Sequence, residues 1–150
     1  MEEIFVYGLL MGFNNEIENL YNEKLDELFL KYPDNSDFLE LELLCGNVKE
    51  SMIYIKEHIS FNDINIENFE KKFIECLKIL YNDMNIKDFS KLSYKIWNVL
   101  PEYISRKDPF IVLCYAGDSL SWGDELSAKE NFERIFSYYE WKIKNMAWRQ

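Results

Sequence analysis

The stretch IENFEKKFIECLKILYNDMNIKDFSKLSYKIWNVLP, residues 66–101, carries the pattern that decides the fold. Charged residues alternate with apolar residues that recur every three or four positions. The two apolar series are Ile66, Phe69, Phe73, Leu77, Leu80 and Met84, and then Ile86, Phe89, Leu92, Ile96 and Leu100. This spacing places the apolar side chains on one face of a helix, because an α-helix turns once in 3.6 residues. The stretch therefore predicts two amphipathic helices, and Pro101 ends the second.

The same period predicts helices on both sides of this stretch. Residues 14–32 have an apolar stripe with acids on the opposite face, residues 48–59 are also amphipathic, and a last helix begins at Asp124 or Ser127 and ends at Met146. Residues 38–45 contain LELEL, which alternates as a strand would, but the segment is short and Gly46-Asn47 follows it, which favours a helix. We expect an all-α fold, a compact single domain over residues 1–150, with stacked helical hairpins as one arrangement.

The segment PFIVLCYA, residues 109–116, is apolar on every side. Asp108 before Pro109 is typical of an N-cap followed by proline at the first helical position, and Gly117 is typical of a helix stop. A helix that is apolar all round belongs in the interior of a domain. We expect this segment to be the central buried helix.

Composition indicates a folded protein of the cytoplasm. The chain has 150 residues, 48% of them hydrophobic and 17% aromatic, which is enough to bury a core. At the N-terminus, MEEIFVYGLLMGF, the apolar run IFVYGLLMGF follows two glutamates and is too short to span a bilayer. We therefore expect neither a signal peptide nor a transmembrane helix. Cys45, Cys76 and Cys114 each lie in an apolar segment, which predicts buried, reduced thiols. We attribute the fourteen asparagines to AT-rich codon usage.

The negative charge of the chain is concentrated in its first half. Residues 1–70 carry sixteen acids against four lysines, whereas residues 71–150 carry eleven acids against thirteen basic residues. A field of this kind repels nucleic acids and anionic membranes and attracts a basic protein surface. The expected sources of the field are the acids of the first long helix and the turn after it, namely Glu23, Asp26, Glu27, Asp34 and Asp37.

No catalytic signature accompanies this charge. The single histidine, His58, has no serine or cysteine at a recognised spacing, and the chain contains neither a metal-binding motif nor a glycine-rich phosphate loop. Its second-half lysines are interleaved with acids and form no basic stripe. We predict a protein that is not an enzyme, needs no metal or cofactor, and binds neither nucleic acid nor membrane.

The loop AGDSLSWGDE, residues 116–125, has two interpretations. In the first it caps a helix: Ser121 or Asp124 is the N-cap, Ser127 and Glu130 form a capping box, and Trp122 plugs the edge of the core. In the second it is a recognition loop, in which Trp122 anchors a partner and the surrounding acids pair with its cations. Both interpretations can hold together. The candidate binding residues of this loop are Asp118, Ser121, Trp122, Asp124 and Glu125.

The segment PFIVLCYAGDSLSWGDE, residues 109–125, resembles immunity proteins of bacterial toxin–immunity systems when it is taken with the small size, the acid excess and the aromatic richness of the chain. The resemblance implies non-enzymatic inhibition, in which the protein binds a cognate toxin domain tightly and blocks its active site or its assembly. An alternative is a helical adaptor or regulatory scaffold that binds a cellular protein through a groove. A toxin gene directly upstream would distinguish the two.

Overall fold

The computed structural model describes residues 2–58 and 64–147, with side chains described as far as residue 138. In these ranges the regular structure is helical and contains no strand, so the all-α prediction is confirmed. The α-helices are α1 Glu2–Leu10, α2 Asn15–Lys31, α3 Ser36–Leu43, α4 Val48–His58, α5 Ile66–Asp83, α6 Ile86–Val99, α7 Glu102–Ser105, α8 Val112–Tyr115 and α9 Glu125–Ala147. Two 3₁₀ helices, Met11–Phe13 and Asp118–Trp122, are also present.

The helices predicted from periodicity are found close to their expected bounds. α2, α5 and α6 match the three clearest stripes. Of residues 38–45, those up to Leu43 belong to a helix, α3, as the turn signals favoured over a strand, and the last two form a turn. The predicted end of α4 at Ile59 lies outside the described residues, as do the Tyr139, Ile143 and Met146 side chains of the α9 stripe. Within the described ranges, no helix is both long and apolar enough to cross a membrane.

Two compact units divide the chain, Met1–Cys76 and Leu77–Gln150, and the boundary between them falls within α5. The single domain expected from the sequence therefore stays a prediction. In the first unit α1 is the buried element, since every residue from Ile4 to Leu10 is buried. It packs against α2 and α4, and α4 comes so close that a Cβ on Gly8 would overlap the Ile55 side chain.

The second unit is built from α6, α8 and α9, which pack on one another. An aromatic cluster lies among its helices: Phe89 and Phe132 are fully buried and meet edge to face, with ring centroids 4.8 Å apart. The Tyr81 ring lies 5.1 Å from the rings of both Phe89 and Phe136. Edge-to-face contacts of this kind add about 0.5–1.5 kcal/mol per pair beyond the burial of apolar area.

The prediction for residues 109–116 is wrong in part. Only Val112–Tyr115 is α-helical, the preceding residues form a turn with a cis Asp108–Pro109 bond, and Asp108 does not cap a helix. The segment is buried at Phe110 and Leu113, but Tyr115 is 45% exposed. An apolar run without periodicity predicts burial but does not specify the backbone conformation, and here the turn supplies much of the buried surface.

Five asparagines have a structural role that the codon explanation overlooked. Their side-chain oxygens accept hydrogen bonds from backbone N–H groups in the first turn of a helix, at 2.9–3.2 Å. These bonds satisfy donors that the helix itself leaves unpaired, and a capping residue is typically worth about 1 kcal/mol. The five capping residues are Asn14, Asn35, Asn47, Asn65 and Asn85.

Candidate partner-binding surface

The loop of residues 116–125, called the Trp122 loop below, contains a short 3₁₀ helix that is closed by a glycine turn. Residues Asp118–Trp122 form the 3₁₀ helix, and Gly123 follows with a φ of 81°, a conformation that residues with a side chain rarely adopt. The Gly123 N–H donates to the Leu120 carbonyl at 3.1 Å. This geometry turns the Trp122 side chain outward, where it is 70% exposed. Trp122 therefore does not plug the edge of the core, and that part of the capping interpretation is wrong.

Asp124 caps α9, as the same interpretation allowed. Its Oδ1 accepts from the Ser127 N–H at 3.0 Å, and its Oδ2 accepts from the Ser127 hydroxyl at 2.8 Å. These hydrogen bonds lower the pKa of Asp124, because they favour its charged form. Ser127 is consequently inside the helix, and the predicted capping box with Glu130 is wrong.

Ser121, the other N-cap candidate, does not cap α9. Its hydroxyl donates to the Asp118 carbonyl at 2.8 Å, so it stabilises the 3₁₀ turn from within. Of the loop residues singled out from the sequence, Ser121 and Asp124 thus hold the loop in shape. Asp118, Trp122 and Glu125 are exposed and available to a partner.

Leu126 belongs to this exposed surface and was missed from the sequence. It is 68% exposed in the first turn of α9, four residues after Trp122 and beyond the Gly123 turn. The signal that could have found it is the α9 stripe itself, which begins at Ala128 and leaves Leu126 outside the buried face. Trp122 and Leu126 are thus two large exposed apolar side chains that lie close in sequence to the exposed acids Asp118 and Glu125.

The acids predicted to generate the field lie in the first unit, on α2 and the start of α3. Four of them are exposed: Glu23, Asp26, Glu27 and Asp34. Asp37 is half-buried, and its Oδ1 accepts from the Tyr54 hydroxyl at 2.8 Å, so it also ties α3 to α4. Four of the five expected sources of the field are therefore exposed, and their role in binding stays a prediction.

Two salt bridges and one carboxyl pair set the local electrostatics. Lys24 Nζ lies 3.5 Å from both Glu27 and Glu3, so one of the four lysines of residues 1–70 is already neutralised by its neighbours. On the adjoining helix, the Glu42 carboxyl group lies close enough to Asp26 to interact with it. Partial burial of Glu42, together with its interaction with the neighbouring negative charge, raises the pKa of Glu42. Carboxyl groups therefore crowd together on this part of the surface.

Candidate catalytic groups are dispersed. His58 is exposed and stacks on the Tyr54 ring, with centroids 4.4 Å apart. The three cysteines are free; Cys76 is buried as expected, but Cys114 is half-buried and Cys45 is exposed, which corrects the prediction. Burial raises the pKa of the Cys76 thiol to about 12, which keeps it protonated and unreactive at neutral pH. Among the described residues, no group of three or more His, Cys, Asp or Glu side chains could hold a metal ion.

A groove of about 420 Å³ lies in the second unit between α8 and α9. Its lining is mostly apolar and aromatic, with Asp108 and Arg134 as its charged members, and Ser137 is its one hydroxyl outside the tyrosines. The Ser137 hydroxyl donates to the Glu133 and Arg134 backbone carbonyls of its own helix, both at 3.3 Å. Among the side chains described up to residue 138, the lining of the groove therefore contains no nucleophile paired with a base of the kind that acyl transfer requires.

Comparisons of the chain with protein family models, with curated proteins and with solved structures found no match. Its function must therefore be argued from the charges, exposures and contacts of its own residues. Those residues form two exposed surfaces, an acidic one in the first unit and an aromatic one in the second.

Proposed function

We propose that the protein is an immunity protein, which binds a cognate bacterial toxin domain and neutralises it without catalysis. The observation that carries the proposal is the segregation of charge: residues 1–70 have a formal net charge of −12, and four of the five acids expected to generate the field are exposed on α2 and the turn that follows. A surface of this kind is suited to a cationic protein partner.

A nuclease toxin is the partner class that this charge fits best. An enzyme that cleaves nucleic acid must hold phosphates, so the surface around its active site is basic. An acidic inhibitor presents a similar field to the phosphate backbone and is drawn to the same surface. Close charge pairs at interfaces of this type couple by about 1.5–7 kcal/mol, which is enough to support tight and selective binding.

Exposed apolar side chains support a protein partner in particular. Tryptophan is among the residues most enriched at the energetic centres of interfaces, and Trp122 is 70% exposed on a loop that the Asp124 cap and the Gly123 turn hold in shape. A pre-organised anchor of this kind loses little conformational entropy on binding. The acidic surface speeds association with the partner, and the Trp122 anchor slows dissociation.

Co-expression with candidate toxin domains, beginning with any that a directly upstream gene encodes, tests the proposal. Host cells that produce the toxin domain should survive when they also produce this protein, and the purified pair should form a complex whose affinity falls as salt is raised. A helical adaptor would instead bind a cellular protein and give no protection. Cells that die at the same rate with and without the protein, at matched expression, would contradict the proposal.

A further inference from the structure

Helix α3 presents leucines to solvent on the side opposite its buried face. Phe38 and Leu41 are 2% and 0% exposed, whereas Leu39 is 46% exposed and Leu43 is 72% exposed. Leu39 and Leu43 lie one helical turn apart, so their side chains are neighbours on the same face. We call these two residues the α3 leucine face.

This face makes little contribution to the stability of the first unit. Phe38 and Leu41 already fill the buried side of α3, and Asn35 caps the helix with hydrogen bonds to the Asp37 and Phe38 N–H groups. A single exposed leucine is ordinary on a protein surface. Two leucines one turn apart on an eight-residue helix form a small apolar patch, and such patches mark contact sites more often than scattered leucines do.

The charge around the α3 leucine face identifies what covers it. Residues 26–43 contain six acids and a single basic residue, Lys31, which lies over the Tyr32 ring. A second copy of this chain would bring the same excess of acids against itself, and like charges across an interface cost several kcal/mol. A partner surface that is cationic around an apolar centre would complement both the acids and the two leucines. The six acids are Asp26, Glu27, Asp34, Asp37, Glu40 and Glu42.

We propose that the α3 leucine face is an apolar contact site for the cationic toxin domain, with the acids of α2 and α3 as its polar rim. The inference rests on the proposed function and adds to it a contact site in the first unit. An apolar centre inside a polar rim is the usual anatomy of a protein interface. The acids that steer the partner and the leucines that hold it then belong to one unit.

The test uses as its probe a catalytically inactivated form of the toxin domain against which the protein protects cells in the co-expression experiment. The double variant Leu39→Gln/Leu43→Gln should bind it about 30-fold more weakly than the wild type, mainly through faster dissociation, which corresponds to ~2 kcal/mol. The variant Tyr94→Gln is the matched control, because it removes a large side chain that is 53% exposed on α6 of the second unit, outside both surfaces proposed to bind the partner. Circular dichroism and the melting temperature should show that the double variant is folded, since both side chains are exposed.

The outcomes separate the two proposals. If the wild type binds the probe and the double variant binds equally well, the α3 leucine face is not a contact site, and the immunity function stands. If the wild type does not bind, the proposed function fails and the inference fails with it. If light scattering shows a wild-type dimer that the double variant abolishes, a second copy covers this face and the inference is overturned.

Discussion

At Gly117 the backbone of the second unit passes so close to α6 that there is no room for a side chain. A Cβ at this position would overlap the Ser90 hydroxyl oxygen and lie 2.9 Å from the Ser90 Cβ. We expect Gly117→Ala to destabilise the protein by about 1–3 kcal/mol, the usual cost of overpacking. Thermal or denaturant unfolding of the variant measures this loss.

Two further variants show whether the close approach is the cause. Gly12→Ala is the matched control, since a Cβ there would meet only ordinary contacts at 3.5 Å or more. Adding Ser90→Gly to Gly117→Ala removes the overlapping atoms and should recover part of the lost stability. The recovery is reduced by about 1 kcal/mol, because a glycine within α6 lowers the stability of that helix. A Gly117→Ala variant as stable as the Gly12→Ala control would show that the backbone can move apart.

The residues of the candidate site could be predicted only in part. An aspartate before a helix is a capping signal, and Asp124 does cap α9. Nothing in the local sequence decides whether a loop tryptophan turns inward or outward, because that depends on the Gly123 turn and on the helices around it. Gly117 illustrates the same limit: a glycine after an apolar run suggests a left-handed helix stop, but its φ is −85° and its role is a close approach.

At the scale of elements, periodicity predicted the helices that have one buried and one exposed face. α2, α5 and α6 show this pattern and were found with accurate bounds. The apolar runs at residues 4–11 and 109–116 have no such period, so the sequence could not say which would be helical throughout. The first run is helical and buried throughout, whereas only half of the second run, Val112–Tyr115, is α-helical. In α3 the LELEL alternation, read at helical period, places leucines on both faces.

Both apolar runs should be equally sensitive to truncation, despite their different backbones. Leu9 in α1 is 0% exposed and Leu113 in α8 is 1% exposed. We expect Leu9→Ala and Leu113→Ala each to lower the free energy of unfolding by about 2–5 kcal/mol, through lost burial and the cavity left behind. Leu30→Ala, at a leucine that is 79% exposed, is the control and should change stability by less than about 0.5 kcal/mol.

Chemical denaturation of the three alanine variants provides the comparison. A Leu113→Ala variant as stable as Leu30→Ala would show that the surroundings of α8 close over the cavity. A Leu9→Ala variant as stable as Leu30→Ala would show that α1 is not the central element of the first unit. The two results are independent, because each leucine belongs to a different unit.

At the scale of the whole molecule, the asymmetry of charge was readable directly from the sequence, because formal charge does not depend on fold. What the sequence could not show is how the acids are disposed. Asp37 accepts a hydrogen bond from Tyr54 and Glu27 pairs with Lys24, and the raised pKa of Glu42 beside Asp26 disfavours the charged form of Glu42. The field is therefore carried by a subset of the acids, chiefly those on the exposed side of α2.

This field should control the rate at which a partner associates, and the Trp122 loop should control the rate at which the partner dissociates. Reversing Glu23, Asp26 and Glu27 to lysine changes the charge by six while touching only exposed positions. We expect association with the toxin domain to slow by about tenfold or more and to lose most of its salt dependence, because steering acts over roughly 8 Å at physiological salt. Dissociation should change little. Trp122→Ala should do the reverse, with dissociation faster by about 30-fold.

Stopped-flow kinetics at several salt concentrations separate the two effects. The matched control reverses three exposed acids of the second unit, Glu102, Glu130 and Glu133, which gives the same change in net charge at a different place. If both triple variants slow association equally, net charge alone matters and the α2 acids have no special position. If Trp122→Ala lowers the melting temperature but leaves dissociation unchanged, the loop acts only through the structure of α9, and the partner is held elsewhere. A partner held by the α3 leucine face would then show its loss of residence time in the Leu39→Gln/Leu43→Gln variant instead.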